Sequence, residues 1–171
     1  MKEQLTDFLT DRFSDSLIEI NEFRGDVSYR IKPESLIAIC ETLKIEPQFE
    51  AKYLAEVTCV DWLGHELEKD GRFEVVYSLY SYKHSYRFFL KVRLESDHPK
   101  IKSLTGIWNG ANWLEREVFD LFGIIFEGHP NLTKIVTPDD LEGHPLRKDF
   151  PLTWEQPQFS WNKDDPPEVI K

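Results

Sequence analysis

Glu115, Glu117 and Asp120 place three carboxylates within six positions, and Gly128-His129-Pro130 returns as Gly143-His144-Pro145 fifteen residues later. Carboxylates beside histidines are the raw material of an acid–base pair or a metal site. The spacings argue against both. On a helix, positions i and i+2 lie about 200° apart, so Glu115 and Glu117 point to opposite faces and share no substrate. Arg116 and Asp120, at i and i+4, are neighbours and are expected to form an ion pair. Asp120 also falls near the C-terminus of that helix, where negative charge is unfavourable, so it is expected to answer a cation. His129 and His144 belong to no HExxH and have no third ligand at a recognised spacing. Each precedes a proline, which holds its backbone extended. They read as structural, hydrogen-bonding histidines, with a partner-facing or proton-handling role as the second reading. Arg147-Lys148-Asp149, set between Pro145 and Pro151, reads equally as a docking run or a solvated face. There is no nucleophile elbow, phosphate loop or dinucleotide fingerprint. A stand-alone hydrolase or metal enzyme built on Glu117, Asp120 and His129 is therefore the disfavoured rival.

The elements that must position these residues are legible in the apolar periodicity. Leu5, Phe8, Leu9 and Phe13 recur at helical spacing, which predicts a first helix over 3–13. Leu17 to Ile20 and then Val27, Tyr29 and Ile31 alternate around Arg24-Gly25-Asp26, the pattern of a hairpin. Pro33 opens a second helix, with Leu36, Ile37, Ile39, Cys40 and Leu43 as its buried stripe. Strands are expected over 53–62, 73–82 and 85–94, the last two antiparallel across a short connection. The fold class is α+β: a two-layer domain in the order α-β-β-α-β-β-β then short helices, mostly antiparallel. Pro99 to Trp108 suggests one of those short helices. In the next, Asn112 is expected to cap and Glu115 to close a capping box. Leu114, Glu117, Val118, Leu121 and Phe122 are expected on one side of it, and Gly123 at its C-terminal end.

Composition narrows the function classes. The 171 residues are 40% apolar and carry a formal charge of −10, enough to build a core and the wrong sign for nucleic acid or an anionic membrane. The two cysteines, Cys40 and Cys59, are too few for an iron–sulfur cluster and read as buried free thiols. No charged-then-apolar leader is expected, since Met1-Lys2-Glu3-Gln4 runs straight into a helix pattern. No apolar run is long enough to span a bilayer.

The chain is expected to divide into an α+β domain over 1–126 and an extended Pro-rich tail over 127–171. Seven of the ten prolines fall between Pro130 and Pro167, and no helical or alternating pattern there lasts more than a few residues. Yet Ile135, Val136, Leu146, Phe150, Trp154, Phe159 and Trp161 are too apolar for an ordinary disordered tail. Fixing each residue costs roughly 1–2 kcal/mol, and burying each large apolar side chain returns only about 1.5–3 kcal/mol. Such a segment is expected to order against a surface, and one that accepts two tryptophans is expected to be another protein.

Glu115-Arg116-Glu117, two residues, Asp120-Leu121-Phe122-Gly123-Ile124, then Phe126 and Gly128-His129-Pro130 resemble the signature of the 30-kDa subunit of respiratory complex I. This is the C-type subunit of bacterial proton-translocating NADH:quinone oxidoreductase and the J-type subunit of its plastid and cyanobacterial relatives. Glu142-Gly143-His144-Pro145-Leu146-Arg147-Lys148-Asp149-Phe150-Pro151 resembles the second block. The resemblance covers roughly residues 105–155; upstream, only the order of elements agrees. Thr133 departs from it, because the family usually carries a basic residue there.

The resemblance implies a non-catalytic structural subunit of the peripheral arm, beside the quinone-reducing module. It implies no cofactor in this chain, with FMN, iron–sulfur clusters and quinone in other subunits. Its partners would be chiefly the 49-kDa hydrogenase-like subunit, wrapped by the tail, and the iron–sulfur neighbour of that subunit. Membrane contact would come only through partners, on the cytoplasmic side of the plasma membrane in a bacterium. The expected interface comprises Glu115, Arg116, Glu117 and Asp120 on the helix. After it come His129, Pro130, Lys134, His144, Arg147, Lys148 and Asp149, then Trp154 and Trp161. The alternative host is a membrane-bound energy-converting hydrogenase or a ferredoxin-dependent complex.

Overall fold

The computed structural model describes residues 1–152. Helix α1 (Lys2–Phe13) leads into the hairpin β1 (Leu17–Phe23) and β2 (Asp26–Ile31). One 3₁₀ turn at Pro33–Ser35 opens helix α2 (Leu36–Ile45), followed by β3 (Tyr53–Asp61), a second 3₁₀ segment at Glu66–Asp70, β4 (Phe73–Ser81) and β5 (Tyr86–Leu94). A short strand β6 (Lys100–Lys102), helix α3 (Ala111–Phe122) and strand β7 (Ile125–Glu127) complete the regular structure. The fold is α+β, as the periodicity predicts.

The main sheet has the order β1-β2-β5-β4-β3. Every pairing is antiparallel except β2 with β5, which the crossover through α2 makes parallel. The register lines up Ile20, Tyr29, Leu90, Tyr77 and Val57 in one row across five strands. From Tyr29 onward that row is buried, in one cluster with Leu5 and Leu9 of α1 and Leu36, Ile39, Cys40 and Leu43 of α2. The Thr6 and Tyr29 hydroxyls meet at 3.0 Å and fix α1 over β2. The adjacent row, on the other face, reads Asn21, Ser28, Phe89, Ser78 and Glu56, the polar side of an alternating sheet.

Two expectations change. Pro99 to Trp108 forms no helix: Lys100-Ile101-Lys102 alternates, buries Ile101 and pairs in parallel with β7. Only one turn follows, where the Ile107 and Trp108 amides both donate to the Leu104 carbonyl. The capping box is also absent. Helix α3 begins at Ala111 behind Gly110, with no side-chain cap, and Glu115 is fully buried. A Glu closing a capping box must reach back to the first turn. This one faces the core instead.

Both cysteines are free and buried. Burial raises both thiols, with Glu41 adding to the effect at Cys40 and Asp61 at Cys59, which stands at about 12. Neither thiol is expected to react with a thiol reagent at pH 8 in the folded chain. Both are expected to react fully in denaturant. Mass counting of alkylated cysteines with and without urea checks this.

Candidate functional site

Helix α3 organises the site. It buries Ala111, Glu115, Val118, Asp120 and Phe122 and leaves Glu117 exposed. Glu115 and Glu117 therefore do face apart, as their spacing requires. The expected side of the helix holds for Leu114, Val118, Leu121 and Phe122, which pack on the core, but not for Glu117.

A helix leaves its last four carbonyls without intrahelical partners. Here all four find partners, three of them from the second Gly-His-Pro block. Gly123 donates its N–H to the Phe119 carbonyl at 2.8 Å. His144 Nδ1 donates to the Asp120 carbonyl at 2.9 Å, which fixes its tautomer. The Leu146 amide donates to the Leu121 carbonyl at 3.1 Å, and Arg147 Nε to the Phe122 carbonyl at 2.6 Å. A cation at this end also complements the helix dipole. Gly123 has φ 73°, and a Cβ there would collide with the ring of His144 and the guanidinium of Arg147. Its role is thus double: a left-handed end to the helix and room for the residues that cap it.

The Asp120 side chain reinforces the same clasp. Its Oδ2 accepts the amides of Ile135, Val136 and Thr137 at 2.9, 2.7 and 3.0 Å, and its Oδ1 accepts the Thr137 hydroxyl. Burial alone would raise this carboxyl. The Thr137 hydroxyl and the three amides outweigh burial and hold it at about 2. The expected Arg116–Asp120 pair does not form, because Asp120 is turned inward to these donors. Arg116 instead binds the Thr133 carbonyl and hydroxyl at 3.0 and 2.7 Å and lies over the Trp113 ring. Thr133, the departure from the family pattern, is therefore the acceptor for that guanidinium.

The two histidines serve opposite ends of α3. His129 Nε2 donates to the Asn112 carbonyl at 3.0 Å, and its Nδ1 accepts the Asn131 amide at 3.1 Å. Asn112 and Asp120 are about 12 Å apart along the axis, so the rings share no ligand. Burial lowers His144, against the opposing effect of the Asp120 carbonyl. Among the described residues no group of three or more His, Cys, Asp or Glu is placed to hold a metal ion.

Arg147-Lys148-Asp149 is anchored on its own chain, although Lys148 and Asp149 stay exposed. Asp149 makes a two-bond ion pair with Arg72 at 2.8 and 3.0 Å, and Arg72 makes another with Asp61 at 2.8 and 3.0 Å. Asp61 also accepts the Lys148 amide at 2.9 Å, while Lys148 Nζ donates to the Leu63 carbonyl. Burial would raise Asp61; Arg72 and the Lys148 and Leu63 amides overcome it and hold the carboxyl at about 2. The guanidiniums of Arg72 and Arg147 both lie over the Phe73 ring, at 4.7 and 5.0 Å. Lys134 Nζ donates to the Leu141 carbonyl at 2.6 Å, and Pro130 is exposed. Trp154 and Trp161 lie outside the described residues.

Nothing in the sequence pattern marks Asp61 or Arg72, which are 87 and 77 residues from their partners. From its apolar content alone the tail is expected to order against another protein. The described part up to Phe150 finds hydrogen-bond partners in its own chain.

Glu115 is the contrasting carboxylate. It accepts only the Ser103 hydroxyl and the Leu104 amide, both at 2.6 Å. Burial prevails over these two donors and lifts it from 4.5 to about 7.

A sheet backed by helices, with a Gly-His-Pro strap clasping the last helix through backbone bonds, defines an α+β protein whose described polar groups tie its own elements together. The family described as "Respiratory-chain NADH dehydrogenase, 30 Kd subunit" matches residues 29–156, and the chain belongs to it. It is thus a subunit of the NADH-quinone oxidoreductase complex of the respiratory chain, of the C type found in the peripheral arm. The NADH-quinone oxidoreductase C subunit of Roseiflexus sp. (strain RS-1) is 46% identical over 88% of this chain and 84% of its own. The Coxiella burnetii (strain RSA 331 / Henzerling II) protein of that name is 36% identical over 90% and 80%. The solved trypsin-resistant fragment (1-134) of Nqo5 is 31% identical, with a TM-score of 0.65 over 75% of this chain and 99% of that one. A chain of the archaeal membrane-bound sulfane sulfur reductase has a TM-score of 0.72 at 24% identity, over 89% and 86%; it shares the fold. Among the described residues no helix is long and apolar enough to cross a membrane.

Gly123→Ala is expected to cost about 2 kcal/mol or more, from the left-handed backbone and the displaced cap, read by urea unfolding. The pH dependence of stability reports on Glu115. This carboxyl is raised in the folded chain, so its contribution is intact below pH 4.5 and lost as pH climbs through about 7. The loss is on the order of 3 kcal/mol. Glu115→Gln is expected to abolish this fall between pH 5 and 8 and leave the opposite slope of His144, which is lowered in the folded chain and so withdraws stability as pH falls, measured by denaturation across that range.

Proposed function

We propose that this chain is a non-catalytic docking subunit that seats the 49-kDa hydrogenase-like subunit, together with the iron–sulfur neighbour of that subunit, in the peripheral arm. Flavin, iron–sulfur and quinone chemistry then belong to other chains. In a bacterium the protein would lie on the cytoplasmic face of the plasma membrane, held there by its partners.

The observation that carries the reading is the orientation of the strap. Between Thr133 and Asp149 the strap turns backbone groups and the Arg147 and Asp149 side chains onto α3 and the Asp61–Arg72 pair, while Asp139, Asp140 and Glu142 stay exposed. Val136 and Leu146 are left 58% and 52% exposed, and Ile135 is also open. Trp113, stacked by Arg116 on the same helix, is 62% exposed. Exposed Trp and Arg beside aliphatic side chains are the composition of an interface centre. The expected interface is thereby refined. Asp120, His144 and Arg147 act on this chain and shape the surface from within, while Glu117, Arg116 and Pro130 can meet a neighbour directly.

Removing everything after Leu152 leaves the clasp in place and deletes Trp154 and Trp161. The double change Val136→Asp and Leu146→Asp alters only outward-facing side chains. Each is expected to lower, at least tenfold, the amount of hydrogenase-like subunit that co-purifies, while the unfolding midpoint of the isolated chain stays near the parent value. Undiminished association in both would overturn the reading.

A further inference from the structure

We propose that the free edge of β1 receives an extended strand from a neighbouring subunit of the complex, a strand of mixed apolar and Lys/Arg character. The inference rests on membership of that complex and not on the strap.

β1 ends the sheet. Its seven residues bond to β2 on one side, and no described strand bonds to the other. The outward half of its backbone N–H and C=O groups is a template for another strand. Sheet edges are commonly blocked by charged side chains, lysine above all, by proline, bulges, a short length or a covering element. β1 has no lysine and no proline, is longer than a typical strand, and is exposed at every residue but the first. Its only irregularity is a bulge at Ile18, at its start. The opposite edge differs: β3 packs against α3 and is buried at Leu54, Val57, Cys59 and Asp61.

The side chains along β1 select the occupant. Ile20 pairs with Tyr29 and stands on the helix-covered face, yet it is 42% exposed because the row stops there. Phe23 stands on the other face and is 67% exposed. It borders a surface groove of about 550 Å³ whose floor carries Val60, Val76, Phe89 and Lys91. A further strand would cover both apolar side chains, one on each face. Every charge on β1 is negative. Glu19 and Glu22 each have one intrachain partner, Arg30 and Lys2, and each keeps half its side chain in solvent. One face thus offers Ile20 with Glu22, and the other Phe23 with Glu19. A second copy of this chain would set two acidic strands about 4.8 Å apart, and its net charge of −10 would oppose the approach. Basic side chains on an incoming strand satisfy the same carboxylates, which favours a different protein.

Residue-resolved hydrogen exchange on the full chain, alone and within the gently extracted complex, tests the proposal. The outward-facing amides between Ile18 and Phe23 are expected to exchange at least 100-fold more slowly in the complex, on alternate residues. Equal rates in a complex that retains the chain would overturn it and leave the strap reading untouched. The Ile20→Lys, Glu22→Lys double variant is expected to fold, to sediment as a monomer and to enter the complex at least tenfold less well. Incorporation at the parent level would count against the proposal. So would a dimer of the parent chain that this variant dissolves, since the occupant would then be a second copy.

Discussion

The C-terminal end of α3 is the constraint on which this structure turns. A helix that stops beside its own core must place its last carbonyls somewhere, because an unpaired buried carbonyl costs about 1–3 kcal/mol. This chain answers with distant sequence. Gly123 takes the first carbonyl, and His144, Leu146 and Arg147 take the other three. The Asp120 side chain then collects three successive amides from the preceding part of the same segment. One helix end therefore sets the path of the chain from Thr133 to Arg147. The Asp61–Arg72–Asp149 chain of ion pairs pins the next residues to the sheet. Half of that clamp is buried and half exposed, so its weight lies in the two-bond Arg72–Asp61 contact, where breaking one side would leave a buried charge unpaired.

Two acidic side chains five residues apart on this helix show how donor count decides a carboxyl's chemistry. Both Glu115 and Asp120 are inaccessible to solvent. Asp120 has four donors, three of them amides fixed by the backbone, and remains an anion. Glu115 has two donors, and burial lifts it to about 7, well above the ordinary carboxylate range. A raised carboxyl in a cleft is often a catalytic acid. Glu115 is fully buried: its oxygens face the Ser103–Leu104 turn and tie that turn to α3.

Legibility in the sequence follows the range of the interaction. Helices α1 and α2, the hairpin and strands β3 to β5 are readable because apolar periodicity reports burial within a few residues. The Gly123 helix end is readable for the same reason. The Arg116–Asp120 pair fails because an i, i+4 rule assumes both side chains lie on the helix surface, and three backbone amides bind Asp120 more favourably than one mobile guanidinium. The Glu115 capping box fails because the residue points into the core. Asp61 and Arg72 are invisible: a strand-end Asp and an Arg after Gly71 carry no pattern, and their meaning depends on where Asp149 returns. His129 and His144 are hydrogen-bonding residues, as their context suggests, yet no feature of their spacing ties the two Gly-His-Pro blocks to one helix.

The strap also bears on why a chain rich in catalytic residue types can serve assembly. A segment with few apolar anchors does not order by burial, since each fixed residue costs roughly 1–2 kcal/mol of backbone entropy. Directional bonds to a helix end solve this differently. They hold the backbone in one register and leave the aliphatic side chains unused. Had Ile135, Val136 and Leu146 been the anchors, they would be buried and unable to meet anything else. Because the anchors are carbonyls, carboxylates and guanidiniums, those side chains stay outside in a fixed arrangement. Preorganising a contact surface in this way lowers the entropy lost on association. On the docking role proposed above, the polar motif that looks like an active site is the means by which an apolar surface is held ready.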